Sequence, residues 1–168
     1  MKATLVIEGK EFPIEINDPE LQKLVAPQPK KTGYEKVDCA RSYFSTYPSG
    51  KVDAFTATDS VFDNEVYIGA NYYSNITVAE NNARADKLMR QLRRFAVEHR
   101  NNNIEWTPHS VKCIIRFSHG SNELYINHEC FGHDFGAIVF DSDDAAQLAI
   151  NTFRDELIWY FTEYKDSL

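Results

Sequence analysis

Twice in this chain, two alternating segments around a glycine turn lead into a short apolar run and then into a long stretch of helical periodicity. In the first instance, Arg41–Tyr47 and Val52–Thr58 flank Pro48-Ser49-Gly50-Lys51. A short apolar run around Val66-Tyr67-Ile68-Gly69 follows, and then a helix to about His99. In the second, Val111–Ser118 and Glu123–His128 flank His119-Gly120-Ser121-Asn122. Gly136-Ala137-Ile138-Val139-Phe140 comes next, and a helix to about Tyr164. Alternation marks half-buried strands, and apolar residues three or four apart mark amphipathic helices. Ala85, Leu88, Met89, Leu92, Phe95 and Ala96 have that spacing, as do Ala146, Ala149, Ile150, Phe153, Leu157, Tyr160 and Phe161. The two runs align at a spacing of 67 residues, which sets Tyr73 against Phe140, Ser74 against Asp141 and Ala79 against Ala146. An internal duplication is one reading of that match.

The N-terminal residues form a smaller unit. Thr4–Ile7 and Phe12–Ile16 read as a hairpin around Gly9-Lys10, with Pro13 restricting its strand to an edge. Asp18-Pro19 then opens a short helix. The expected fold class is therefore α+β: an N-terminal ββα unit followed by two antiparallel βββα modules, with helices packed on antiparallel sheet. The expected divisions are residues 1–25 for the hairpin-helix unit, 26–33 for a Pro- and Lys-containing linker, 34–100 for the first module and 101–168 for the second. The first long helix is capped by Ser74 or by Thr77, the latter pairing with Glu80, and the second by Asp141.

At 168 residues the chain is long enough to build a core without disulfides or metal. Cys39, Cys113 and Cys130 form no CxxC pair and read as reduced thiols. No apolar run reaches the length of a membrane span, and the first residues lack the apolar core of a secretory signal. A cytoplasmic protein is expected.

Charge is the most informative feature for function. The net charge is −7. Residues 76–100 carry six basic and three acidic groups, whereas residues 134–168 carry two basic and eight acidic ones. Arg84, Lys87, Arg90, Arg93, Arg94 and Arg100 lie off the apolar stripe of the first helix. They read as a solvated face, or alternatively as a ridge for the phosphates of a nucleic acid or nucleotide. Asp141, Asp143, Asp144, Asp155 and Glu156 read as caps and solubilising charge, or as a patch that imitates a phosphate backbone and enters a basic groove. Strand aromatics such as Tyr43, Tyr72 and Tyr73 read as core, with base stacking as the functional alternative.

Catalytic signatures are missing. There is no GxSxG, P-loop or GxGxxG, and no spacing selects a Ser-His-Asp set. His128, Cys130 and His133, with His119 or Asp134 as a fourth ligand, are the candidate metal ligands. Their spacing matches no zinc motif, so no metal and no cofactor is expected. The expectation is a non-enzymatic protein.

The phrases IEINDPELQKL, PQPKKTGYEKV, AENNARADKLMRQLRRFAVEHR and FRDELIWYFTEYKDSL together resemble small accessory proteins of bacteriophages and mobile elements of Firmicutes. That resemblance covers the N-terminal unit and both long helices and supplies no catalytic residue. It implies an anti-defence role in the bacterial host cytoplasm, most concretely an anti-CRISPR protein that binds a guide-loaded effector nuclease. Contact with guide or target nucleic acid is the alternative use of the basic helix, as is sequestration of a nucleotide signal. The exposed strand edges of two sheet modules further suggest a homodimer.

Overall fold

The computed structural model describes residues 2–7, 10–19, 31–101, 107, 109–130, 132 and 136–164. The chain divides into two compact units, Met1–Lys31 and Thr32–Leu168, and its class is α+β.

In the first unit, β1 (Lys2–Ile7) and β2 (Lys10–Glu15) pair antiparallel, with Leu5 opposite Phe12 and Thr4 opposite Pro13. A two-stranded sheet leaves each strand one outer edge, where a residue without an N–H is tolerated. Pro19 is helical, as the expected helix requires; the rest of that helix and residues 26–30 of the linker lie outside the described residues.

The second unit begins with β3 (Ser42–Thr46) and β4 (Val52–Thr56), an antiparallel hairpin closed by Gly50 at φ 89°. The third strand expected at residues 66–69 is instead part of a helix, α1 (Val61–Ile68). The local reason is a capping box. The Ser60 hydroxyl accepts from the Asp63 N–H, and the Asp63 carboxylate accepts from the Ser60 N–H. Those reciprocal bonds satisfy two orphan helix donors, enough to overcome the strand preference of Val66-Tyr67-Ile68. Tyr73 supplies what remains of the third strand, a single antiparallel bridge to Phe44.

Next comes α2 (Ile76–Glu98), capped by Asn75 rather than by Ser74 or Thr77. The Asn75 side chain accepts from the N–H groups of Thr77 and Val78. Ser74 serves elsewhere: its hydroxyl donates to Glu35 at 2.7 Å, and its N–H to the Gly33 carbonyl at 2.8 Å. Glu35 also accepts from the Ser74-adjacent loop donors of Thr32 and Gly33. The Ser74 hydroxyl first, then the Thr32 N–H, hold its carboxyl down at about 2. Gly33 is required there: its φ is 91°, and a Cβ would lie 2.7 Å from Val78 Cγ2.

A three-stranded sheet follows in the order β6-β5-β7, from β5 (Lys112–Ser118), β6 (Glu123–Glu129) and β7 (Val139–Phe140). The helix expected to run to Tyr164 is interrupted at Phe153, giving α3 (Asp143–Thr152) and α4 (Arg154–Thr162). The interruption lies where the Phe153 ring meets Phe95 edge-on, at 5.5 Å between centroids. The cap of α3 is Ser142, one residue beyond the expected Asp141.

The two halves share a local topology. In each, the first hairpin strand takes a short partner on its outer edge just before a capped helix: Tyr73 on Phe44, and Phe140 on Cys113. The caps Asn75 and Ser142, and the fully buried Ala79 and Ala146, keep the same offset. Two equal βββα modules are not what the chain builds: residues 61–68 form a helix where a third strand is expected, and the single helix α2 corresponds to two helices, α3 and α4, in the other half.

The main core joins Leu88, Leu92 and Phe95 of α2 to Cys113, Phe140, Ala145, Ala146, Ala149 and Leu157. A second cluster packs Tyr43, Ala57 and Tyr72, with the Tyr43 and Tyr72 rings stacked at 4.0 Å. Beside it sits Asp63, only 3% exposed, accepting from the Thr58 N–H and hydroxyl and the Tyr43 hydroxyl, each at 2.8 Å. The Thr58 N–H first, then the Tyr43 and Thr58 hydroxyls and the Ser60 N–H, hold the Asp63 carboxyl well below the usual carboxylate range. Burial, and then Asp63, push Tyr43 up to about 12.

Asp63 and Glu35 both bind protons more weakly in the folded chain than in the unfolded one. Their contribution is thus complete above about pH 5 and declines as pH falls through the lowered folded values. Urea unfolding from pH 6 to pH 2.5 will show a falling midpoint. Asp63→Asn will lower the midpoint at pH 6, because a neutral amide oxygen accepts more weakly than a carboxylate from the Thr58 and Ser60 N–H groups, and will flatten the acid decline. A midpoint and acid slope equal to wild type in that variant would contradict this role for Asp63.

Candidate functional site

Both charged segments lie on helices of the second unit, and several of their side chains meet each other. The guanidinium of Arg84 donates to Glu156 from Nε at 2.8 Å and from Nη2 at 3.1 Å, and lies 3.9 Å over the Trp159 ring. Both partners are 43% exposed, so the pair contributes up to about 1 kcal/mol, with the ring contact adding a comparable amount. Arg90 donates to the Pro48 carbonyl at 2.9 Å, and the Lys87 stem lies against Gly50. Arg94 pairs with Glu98 at 3.5 Å, one turn along the same helix. Arg84 and Arg90 thus fasten α4 and the β3–β4 turn to α2. Arg93 and Arg100 are exposed near its C-terminal end.

The acidic residues occupy the first turns of two helices, Asp143 and Asp144 on α3 and Asp155 and Glu156 on α4. Carboxylates there are favoured by the helix dipole. Asp141 accepts from the Asn101 N–H, and Glu156 is taken up by Arg84. Asp144 and Asp155 are exposed and form no ion pair among the described residues. Residues 136–164 carry six carboxylates against the single arginine Arg154.

Asp143 belongs to a different constellation. The β5–β6 register sets Cys113 directly opposite His128, and α3 delivers Asp143 onto that pair. His128 Nε2 lies 2.6 Å from Asp143 Oδ1, and the Cys113 thiol donates to the same oxygen at 3.3 Å. The His128 hydrogen bond first, then the Cys113 one, lower the Asp143 carboxyl. Burial, and then Asp143, push the Cys113 thiol up to about 12. In this arrangement the carboxylate is the hub. A nucleophilic triad needs the imidazole between thiol and carboxylate, so the three residues do not form one.

The sequence-selected metal ligands are therefore regrouped. His128 joins Cys113 and Asp143, not Cys130, and this is the group of three metal-ligating side chains among the described residues. The Cys130 carbonyl accepts from Lys112, and His119 packs edge-on against Phe117. His133 and Asp134 lie outside the described residues. Cys39, Cys113 and Cys130 are all free. The strand aromatics resolve toward packing: Tyr43, Tyr72 and Tyr73 are each under 5% exposed and have no face for a base.

Two further features were not anticipated from the sequence. One is a cavity of about 320 Å³ whose walls include Leu88, Leu92, Ile115, Phe140 and Phe161, with Arg116 as its charged group. Arg116 pairs with Glu129 at 3.1 Å, leaving an apolar cavity poorly suited to phosphates. The other is the apolar surface of α1, where Val61 is 75%, Phe62 53% and Ile68 83% exposed.

Comparison with protein-family models, with curated proteins and with solved structures finds no match. Among the described residues, no helix is long and apolar enough to cross a membrane.

Proposed function

We propose that this protein is a non-catalytic inhibitor of bacterial antiviral defence, of the kind carried by phages and mobile elements, acting in the host cytoplasm. Its target in this reading is a guide-loaded CRISPR effector nuclease. The observation that carries the reading is the acidic first turns of α3 and α4, where Asp144 and Asp155 stand exposed and without an ion pair among the described residues. Spaced carboxylates on rigid helices suit a groove that evolved for phosphates, and long-range attraction steers such a pair together. The resemblance of the N-terminal unit and both helices to phage accessory proteins supplies the choice of target. Asp143 and Glu156, engaged by His128 and Arg84, are secondary to this surface. The basic helix is the weaker candidate, since Arg84 and Arg90 are occupied in holding the fold.

Target cleavage by a guide-loaded type II effector tests the reading. Wild-type protein in excess will suppress cleavage, and Asp144→Lys with Asp155→Lys will weaken that suppression about tenfold or more while leaving the far-UV spectrum and Tm intact. Undiminished cleavage with wild type, or full suppression by the double variant, would contradict it.

The same reading includes a homodimer in which a second copy covers the exposed apolar residues Val61, Phe62 and Ile68 of α1. Sedimentation velocity will give a dimer for wild type and a monomer for Ile68→Asp. A wild-type monomer would rule the dimer out.

A further inference from the structure

We infer that Cys113, His128 and Asp143 form a Zn²⁺ site that clamps the β5–β6 hairpin to the start of α3. The donor atoms of the three side chains already lie within 4.8 Å of one another. They come from three separate elements, so an ion there cross-links the sheet to the helix instead of decorating one surface. A thiolate, an imidazole nitrogen and a carboxylate oxygen are a borderline-soft donor set, which selects Zn²⁺ or Co²⁺ over the all-oxygen preference of Mg²⁺ and Ca²⁺.

The spacing suits the ion. With metal–ligand bonds of roughly 2.0–2.3 Å, a tetrahedral site sets its donors about 3.3–3.6 Å apart. Cys113 Sγ and Asp143 Oδ1 are 3.3 Å apart as they stand. His128 Nε2 and Asp143 Oδ1 are closer, at 2.6 Å, because they share a hydrogen bond that metal binding replaces. Opening that contact is easy: the His128 side chain is 50% exposed and that of Asp143 61%. Cys113, by contrast, is fixed in the core at 3% exposure. The sulfur thus forms the floor of the site, the nitrogen and oxygen form its rim, and the solvent side provides an entry path and a water as fourth ligand.

Binding replaces the Cys113 S–H bond with an S–Zn bond, and the proton leaves to solvent. The positive end of α3 opposes a cation, and Asp144, beside Asp143 in the same turn, offsets it together with Asp143 itself.

The test uses the full chain kept reduced with a phosphine, titrated with Zn²⁺ against a chromophoric chelator and followed by thermal unfolding. A single Zn²⁺ will bind per chain, and Tm will rise by about 5–10 °C at a hundredfold excess over Kd. Co²⁺ will give a sulfur-to-metal charge-transfer band, which Cys113→Ser abolishes. Because Cys113 is buried and its variant risks misfolding, His128→Ala provides the independent arm: it will keep the metal-free Tm and lose at least about tenfold in Zn²⁺ affinity. No Zn²⁺ binding by wild type, undiminished binding by His128→Ala, or a Co²⁺ complex without the sulfur band would each overturn the site.

Discussion

The burial of α2 against both halves of the second unit is the constraint on which the rest depends. Its N-terminal turns present Ala79 and Ala83, at 0% and 1% exposure, small enough for close approach by neighbouring backbone. Its C-terminal turns present Leu88, Leu92 and Phe95 to the core shared with β5, β7, α3 and α4. Burying a side chain such as Leu88 contributes roughly 1.5–3 kcal/mol, more than the roughly 0–1 kcal/mol typical of a surface ion pair. The polar faces of α2 then fasten what the apolar stripe has brought near, Arg90 to the β3–β4 turn and Arg84 to α4. The segregation of charge along the chain is in part this arrangement seen in one dimension, a basic central helix receiving an acidic later one.

The parts of the fold legible in the sequence are those set by local signals. Both hairpins and the long extent of α2 follow from alternation, turn glycines and helical spacing, signals that are local. Val66, Tyr67 and Ile68 have strand-like side chains, so the sequence points to a third strand where the fold has a helix. The decisive residues are Ser60 and Asp63, upstream of Val66, and the tertiary partner Tyr43 that makes burial of Asp63 tolerable. The caps fall one residue beyond Ser74 and Asp141 and two before Thr77: Asp141 and Ser142 are both good caps, and Ser74 is already committed to Glu35. Nothing local marks Phe153 as a break, since neither glycine nor proline is there; its packing on Phe95 is a tertiary fact.

The Cys113–His128–Asp143 cluster shows the same division. The turn at 119–122 sets Ser118 opposite Glu123, and counting outward from that pair places Cys113 opposite His128. Two of the three residues were therefore readable from the hairpin register. Asp143 was not, because its position depends on how α3 lands on the sheet. In the sequence it is one acidic residue among several, while in the fold it is the one that meets an imidazole and a thiol. The acidic surface accordingly separates into parts with different work: Glu156 in packing against Arg84, Asp143 in the mixed cluster, and Asp144 and Asp155 free for a partner in the proposed reading.

If α2 ties the two halves together, loosening it at one end must be felt at the other. The direct measurement is native-state amide hydrogen exchange on Leu88→Ala, whose deleted side chain belongs to the core of the second half. The account predicts that amides of β3–β4 lose protection along with those of β5–β6, by similar free energies, since both hairpins open when α2 is released. Loss of protection confined to β5–β6, with β3–β4 unchanged, would show that the halves are stabilised independently and would contradict the central role assigned to this helix.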